Sequence, residues 1–192
     1  MSKPPAIEWD FRDLRKGARE FQKRVRRATM RAGAEAIRKT KTEVARRVRA
    51  RKAIKAATIK KGLVLRFPPP GTDTAAAEWR INVSTRPIPM GAYPIRQTRT
   101  GVTVQINRGA SKLVRGAFIA TMKSGHRGVF MRRGKARLPL KELYSSRISD
   151  VVRDTGFLPE VEAFARVKFQ SAFRRLLQLE IGNAPAARPP QA

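Results

Sequence analysis

Cysteine is absent from this 192-residue chain, and histidine occurs once, as His126. Without thiols there is neither a disulfide framework nor a zinc finger or ribbon. One imidazole supplies no histidine pair for a metal or a proton relay. No apolar run reaches the ~18 residues that a membrane-spanning helix needs, and Met1 to Asp10 holds no apolar signal core, so no leader is expected. Acid is scarce too: 14 Asp+Glu stand against 43 Lys+Arg, for a net charge of +29 and a pI near 11.9. Such an inventory supplies most enzyme classes poorly. What is present is enough apolar material, 41% of the chain, for the core of one domain or at most two. A folded chain this basic needs an acidic partner: nucleic acid, an anionic surface or a negatively charged protein assembly.

From Phe11 to about Val48 the sequence predicts a helix. Phe11, Leu14, Ala18, Phe21, Val25, Ala28 and Ala32 alternate steps of three and four, which places them on one stripe. The stripe resumes with Ala36, Ile37, Thr40, Val44 and Val48. Unbroken, roughly 38 residues at ~1.5 Å each give a rod of roughly 57 Å. Gly33 is the expected bend, because glycine costs about 1 kcal/mol relative to alanine in a helix. A small sheet cannot cover so long a rod, so part of it is expected against a neighbouring subunit. Ala50 to Lys61 predicts a shorter basic helix with Ile54 and Ile59 as its apolar contacts, closed by Gly62.

Strand signals follow. Leu63 to Phe67 is a candidate strand, stopped by Pro68-Pro69-Pro70-Gly71. Trp79, Ile81 and Val83 alternate onto one face, as do Val102, Val104 and Ile106. Pro87 to Pro94, with three prolines, reads as an extended loop or edge. Gly116–Met122 and Gly128–Arg132 flank the polar tip Lys123–Arg127, the pattern of a hairpin. A last helix begins near Pro159, with Ala165, Phe169, Phe173, Leu176 and Leu177 as its buried face and Gly182 just past its end. The fold class is therefore α+β: a long N-terminal helix, a small mostly antiparallel sheet with a hairpin, and a C-terminal helix. Residues 1–182 are expected as one domain, with a basic helical segment at 10–61, a strand-rich segment at 62–145 and the last helix at 158–181. A flexible, Pro-rich tail is expected over 183–192.

The charge is uneven. Residues 1–66 hold 22 basic and 6 acidic side chains, and Arg80 to Arg137 holds 13 basic residues and no acid. Pairs along a helix cannot neutralise so many cations, which leaves them facing solvent or an anionic partner. His126 lacks a nearby carboxylate along the chain, Glu142 being the next acid, so a loop-tip contact, a structural tie between its loop and a neighbouring chain, is expected of it rather than catalysis. Gly109-Ala110-Ser111-Lys112 and Arg133-Gly134-Lys135 lack the spacing of a nucleotide loop. Asp150 and Asp154 lie one turn apart, a spacing more typical of solvent-facing acids than of a metal pair. Tyr93, Phe118 and Phe130 could stack bases, but aromatics in strands more often serve the core. No helix-turn-helix, RNA-recognition or finger signature occurs, which leaves nonspecific nucleic-acid contact open. No catalytic residue, cofactor or metal is assigned.

The stretch Tyr93-Pro-Ile-Arg-Gln-Thr-Arg-Thr-Gly-Val-Thr-Val104, then Gly116-Ala-Phe-Ile-Ala-Thr-Met-Lys-Ser-Gly-His-Arg-Gly-Val-Phe-Met-Arg132, resembles the minor tail protein Z family of tailed bacteriophages and prophages. Arg137-Leu-Pro-Leu-Lys-Glu-Leu-Tyr144 extends the likeness, with Ser145-Ser146 where relatives are expected to carry Gly-Pro. The resemblance spans about residues 10–180. It implies a structural virion protein, a tail-completion or neck component at the head-proximal end of the tail, needed for head–tail joining. It implies a fold like that of small head–tail connector proteins, and a ring, hexameric by the tail's symmetry, around the DNA path. Partners would be the tail terminator and connector, with tail tube or tape measure as further candidates, and location the tail neck after assembly in the host cytoplasm. Arg96, Arg99, Lys123, His126, Arg127, Arg132 and Arg133 are the candidate contacts to partner protein or genomic DNA. The competing class is a cellular nonspecific nucleic-acid-binding protein, ribosome- or nucleoid-associated, which would bind as monomer or dimer with a steep salt dependence.

Overall fold

The computed structural model describes residues 12–182. Phe11, the side chain of Leu14 and the expected tail at 183–192 lie outside the described residues and side chains. Helix α1 (Arg12–Arg51) runs 40 residues without a break, roughly 60 Å. A short helix α2 (Ala56–Gly62) leads into β1 (Leu63–Arg66), which pairs antiparallel with β2 (Arg80–Val83). Next come β3 (Pro87–Pro89), one 3-10 turn at Met90–Ala92, and a three-stranded antiparallel sheet of β4 (Ile95–Thr98), β5 (Gly101–Asn107) and β6 (Ala110–Arg115). A second three-stranded sheet holds β7 (Ala117–Thr121), β8 (Arg127–Arg132) and β9 (Leu140–Glu142). Strand β10 (Tyr144–Arg147) pairs back on β3 with an irregularity between Ser145 and Arg147. Helices α3 (Ile148–Val152) and α4 (Phe157–Gly182) close the fold. This is the expected α+β class.

Two apolar clusters organise these pieces. The larger joins Val44 and Val48 of α1 to Ile54, Ile59, Leu63, Ile88, Tyr93, Val102, Val104, Ala117, Val129, Ile148 and Phe157. The smaller joins Ala28 and Ala32 of α1 to Ala172 and Leu176 of α4, with Phe169, Phe173 and Leu177 against it. Alanine is what lets two helices approach closely at that crossing, and both alanines are fully buried. The helices run antiparallel, since Glu180 meets Arg27 and Arg31, Glu35 meets Arg175, and Arg47 meets Glu160. Exposed pairs of this kind are each worth about 0–1 kcal/mol, so the apolar seam does most of the holding.

Part of the α1 stripe, at Ala28 and Ala32, is covered by the chain's own α4, while residues 15–23 are exposed. Two expectations change. The helix predicted for Ala50–Lys61 is split: α1 continues to Arg51 and residues 52–55 are extended. There the Ala53 amide bonds the Ile106 carbonyl and the Lys55 amide bonds that of Ala92, which drives Ile54 into the core. Gly33 is no bend. A Cβ built there would lie 2.3 Å from the indole of Trp79, so the glycine is the slot that seats that ring against α1. Gly182, placed just past the last helix from the sequence, is its final residue.

Two predictions follow from this packing. Gly33→Ala gains about 1 kcal/mol of helix propensity but displaces Trp79, and overpacking costs about 1–3 kcal/mol. A lower melting temperature is expected, with a red-shifted Trp79 emission in a Trp9→Phe background. Glu43, buried, accepts from Arg46 and Arg47. The Arg46 hydrogen bond, against the cost of burial and helped by Arg47, holds its carboxyl at about 2, below the ordinary 4.5. A depressed carboxyl stabilises the fold above its unfolded value and stops doing so as pH falls through its folded value. Thermal stability should therefore decline from about pH 4.5 to about 2, and Glu43→Gln should flatten that decline while lowering stability at neutral pH by about 1–2 kcal/mol.

Candidate interaction face

The β7–β8 hairpin is the best-defined feature among the sequence-predicted positions. Its register pairs Ala117 with Met131, Phe118 with Phe130, Ile119 with Val129 and Thr121 with Arg127. The tip closes by the Met122 amide on the His126 carbonyl at 2.8 Å and the Gly125 amide on that of Met122 at 2.9 Å. Strand alternation then sorts the side chains. Ala117 and Val129 enter the core. Phe118, Phe130 and Arg132 take the other face, and β9 adds Glu142 opposite Phe130 and Leu140 opposite Arg132.

Glu142 organises this outer face. Its Oε1 lies 2.7 Å from His126 Nε2, and the Tyr144 hydroxyl donates to its Oε2 at 2.8 Å. The His126 ring stands edge-on to Phe130, with centroids 6.4 Å apart and planes at 88°. Phe118 lies 6.5 Å from Phe130, and the Arg132 guanidinium sits 5.8 Å above the Phe118 ring. Gly128 makes room, because a Cβ there would come within 2.9 Å of Glu142 Oε1 and 3.0 Å of the Phe130 ring. Gly128 and Phe130 are buried on a face whose polar tips remain exposed.

The expectation that His126 has no carboxylate is therefore corrected. Sixteen residues along the chain separate it from Glu142, but the β8–β9 pairing brings the two together. With Tyr144 the two form one hydrogen-bonded cluster on the outer face. Its third member is a phenol, and the hydrogen bond to Glu142, with partial burial and the like charge, raises the Tyr144 hydroxyl above its ordinary 10.0. A group that keeps its proton more firmly is a donor and a brace. The hydrogen bond ties the hairpin tip to β9 within the chain, where the sequence suggested a tie between the loop and a neighbouring chain.

The seven candidate contact residues are all exposed, and the structure sorts them. His126 and Arg132 share the aromatic outer face. Arg127, opposite Thr121, takes the alternate face of the same strand, while Lys123 lies in the tip and Arg133 just past β8. Arg96 pairs across from Thr103 in β4, and Arg99 lies in the β4–β5 turn. The two sheets meet through Gln97, whose Oε1 accepts the Ile119 amide at 2.8 Å and whose Nε2 donates to the Gly101 carbonyl at 3.0 Å. Among the described residues, none of the six cations forms an ion pair with a carboxylate, whereas the α1 cations Arg27, Arg31, Arg46, Arg47 and Arg51 all do.

Elsewhere the weak motifs resolve into ordinary structure. Gly109–Lys112 is the turn and start of the β5–β6 hairpin, Asn107 pairing with Ala110. The Asp150 carboxylate accepts the Arg147 amide at the start of α3, and Asp154 pairs with Arg51. Tyr93 is a core residue, 1% exposed. Sequence reasoning did not single out Glu142 and Tyr144 as members of the site. The available signal was their spacing of two along the chain, together with Glu142 being the first acid after Glu78.

Replacing Glu142 by Gln should bring the Tyr144 phenol down towards 10.0, followed by NMR of its ring. The same variant should speed amide exchange in β8 and β9, where the Leu143 amide bonds the Val129 carbonyl at 2.9 Å. The family model for prophage minor tail protein Z (GPZ) matches residues 12–181. No curated protein and no solved structure matches the chain.

Proposed function

Because the chain belongs to the prophage minor tail protein Z family, a family of structural phage tail proteins, we propose that it completes the tail at its head-proximal end and is needed for head–tail joining. Its partners are other phage tail proteins and its place is the virion. The finer reading puts it in the neck, as a hexameric ring around the DNA path, beside the tail terminator and connector, after assembly in the host cytoplasm. It assigns a structural rather than an enzymatic role, and treats residues 12–182 as one unit because α1 contributes to both apolar clusters.

The observation that carries the contact assignment is the hairpin region itself. From Arg80 to Arg137 thirteen cations occur without one acid, and the six candidate cations there lack carboxylate partners among the described residues. Cations left exposed and unpaired at this density favour an anionic neighbour, because their mutual repulsion is otherwise uncompensated. We assign Arg96, Arg99, Lys123, His126, Arg127, Arg132 and Arg133 as contacts to acidic faces of tail proteins or to genomic DNA.

Disruption of this gene alone should give lysates with DNA-filled heads beside separate full-length tails under the electron microscope. Supplying the protein should restore joined particles, and normal infectious particles without it would sink the assignment. Arg127→Glu and Arg132→Glu, made separately because the strand points them to opposite faces, should each fail to restore joining. Their circular-dichroism melts should stay unchanged; a lost melt would make the residue structural.

A further inference from the structure

The apolar stripe of α1 continues past the point where α4 covers it. At the covered end Glu180 lies 2.9 Å from Arg27 and 3.5 Å from Arg31, and its backbone carbonyl takes the Arg24 guanidinium at 2.9 Å. N-terminal to that junction, residues 15–23 are exposed throughout. The spacing of three and four persists there through Ala18, Phe21 and Val25, the period of a helix–helix seam. Phe21 is 53% exposed. With Val25 it walls a groove of about 590 Å³ whose far side is Asp73 and Thr74 and whose rim carries Arg19, Lys23, which pairs with Glu20 at 2.7 Å, and Arg26, which donates to the Thr72 carbonyl at 3.1 Å.

The covered half of the stripe shows what chemistry fits it. There α4 offers apolar Ala172 and Leu176 to Ala28 and Ala32, and the Glu180 carboxylate to the flanking Arg27 and Arg31, while its Arg175 meets Glu35 of α1. We propose that the open half, Ala18 to Val25, docks an acidic amphipathic helix of another protein, laid end to end with α4 along the same seam. This rests on reading the chain as a tail component, and it names the kind of partner.

Charge and chemistry select this occupant. A second copy brings another +29 of charge to a rim that is already cationic. Duplex DNA would satisfy the cations through its phosphates but gives Phe21 and Val25 no apolar surface to bury. Residues 183–192 of this chain contain no acid to meet Arg19, Lys23 and Arg26. An acidic helix with an apolar stripe satisfies both the seam and its rim.

The test places a photo-crosslinking residue at position 21, 42 or 132 of the full-length chain and supplies it to gene-disrupted phage. Thr42 is an exposed position on α1 away from the groove, and Arg132 belongs to the hairpin face. The expected adduct at 21 is a segment of a different tail protein, net acidic, with apolar residues spaced by three and four. Its yield should be about tenfold above that at 42, and Phe21→Ser in a second tagged variant should lower partner retention by a similar factor. An adduct with a second copy, with DNA or with residues 183–192 overturns the proposal, as does no adduct at 21 while 132 reacts. Absence of the protein from purified tails, with no adduct at any position, would sink the tail assignment itself rather than the seam alone.

Discussion

One forty-residue helix is shared by two apolar clusters, and the rest of the structure is arranged by that sharing. The C-terminal half of α1 gives Val44 and Val48 to the core under the sheets, while its N-terminal half gives Ala28 and Ala32 to the contact with α4. An isolated helix of this charge would gain little from propensity alone, since helical stability in proteins comes mainly from packing an apolar face. Between the two clusters, Gly33 seats Trp79, which in turn lies 6.5 Å from Phe169 of α4. Trp79 thereby ties α1 to α4 at a point between the two clusters.

Acid scarcity sets the second constraint. With 14 carboxylates for 43 cations, the position of each acid decides which cations are occupied. On α1 and α4 the acids sit at junctions: Glu180 at one end, Glu35 and Glu160 between the helices, Glu43 within α1. The hairpin region receives only Glu142, and both of its oxygens are engaged by His126 and Tyr144. Its arginines and lysines are left outward. Surface pairs add little stability, so this distribution matters less for holding the fold than for deciding which faces present unpaired charge.

Much of the architecture was legible because it is written in apolar periodicity. The stripes of α1 and α4, the Val102–Val104 strand and the β7–β8 hairpin all follow from side-chain spacing. Strand β6 was not, because Ala110 to Lys112 are exposed and polar or small, with no alternation, and form a strand only by pairing with β5. Gly33 was misread for a related reason: its backbone cost is visible in a sequence, whereas the indole that needs the space comes from Trp79. The His126–Glu142 contact likewise depends on register across β8 and β9, which local spacing does not reveal. The site's cations were legible as composition, and their division between two faces of β8 was not.

These constraints bear on how such a chain could assemble. At physiological ionic strength charges are screened beyond about 8 Å, so copies of a +29 protein tolerate one another at a distance but repel where surfaces touch. The proposed ring would bring cationic faces within that range. Internal carboxylates relieve little of the repulsion, because Glu20, Glu35, Glu43, Glu160 and Glu180 are already engaged with cations of their own chain, and Glu142 with His126 and the Tyr144 phenol. Compensation must come from outside, from acidic protein surfaces or from phosphate. On this argument the copies would close around one another only once an acidic neighbour is in place, which ties ring formation to the presence of the structure it completes.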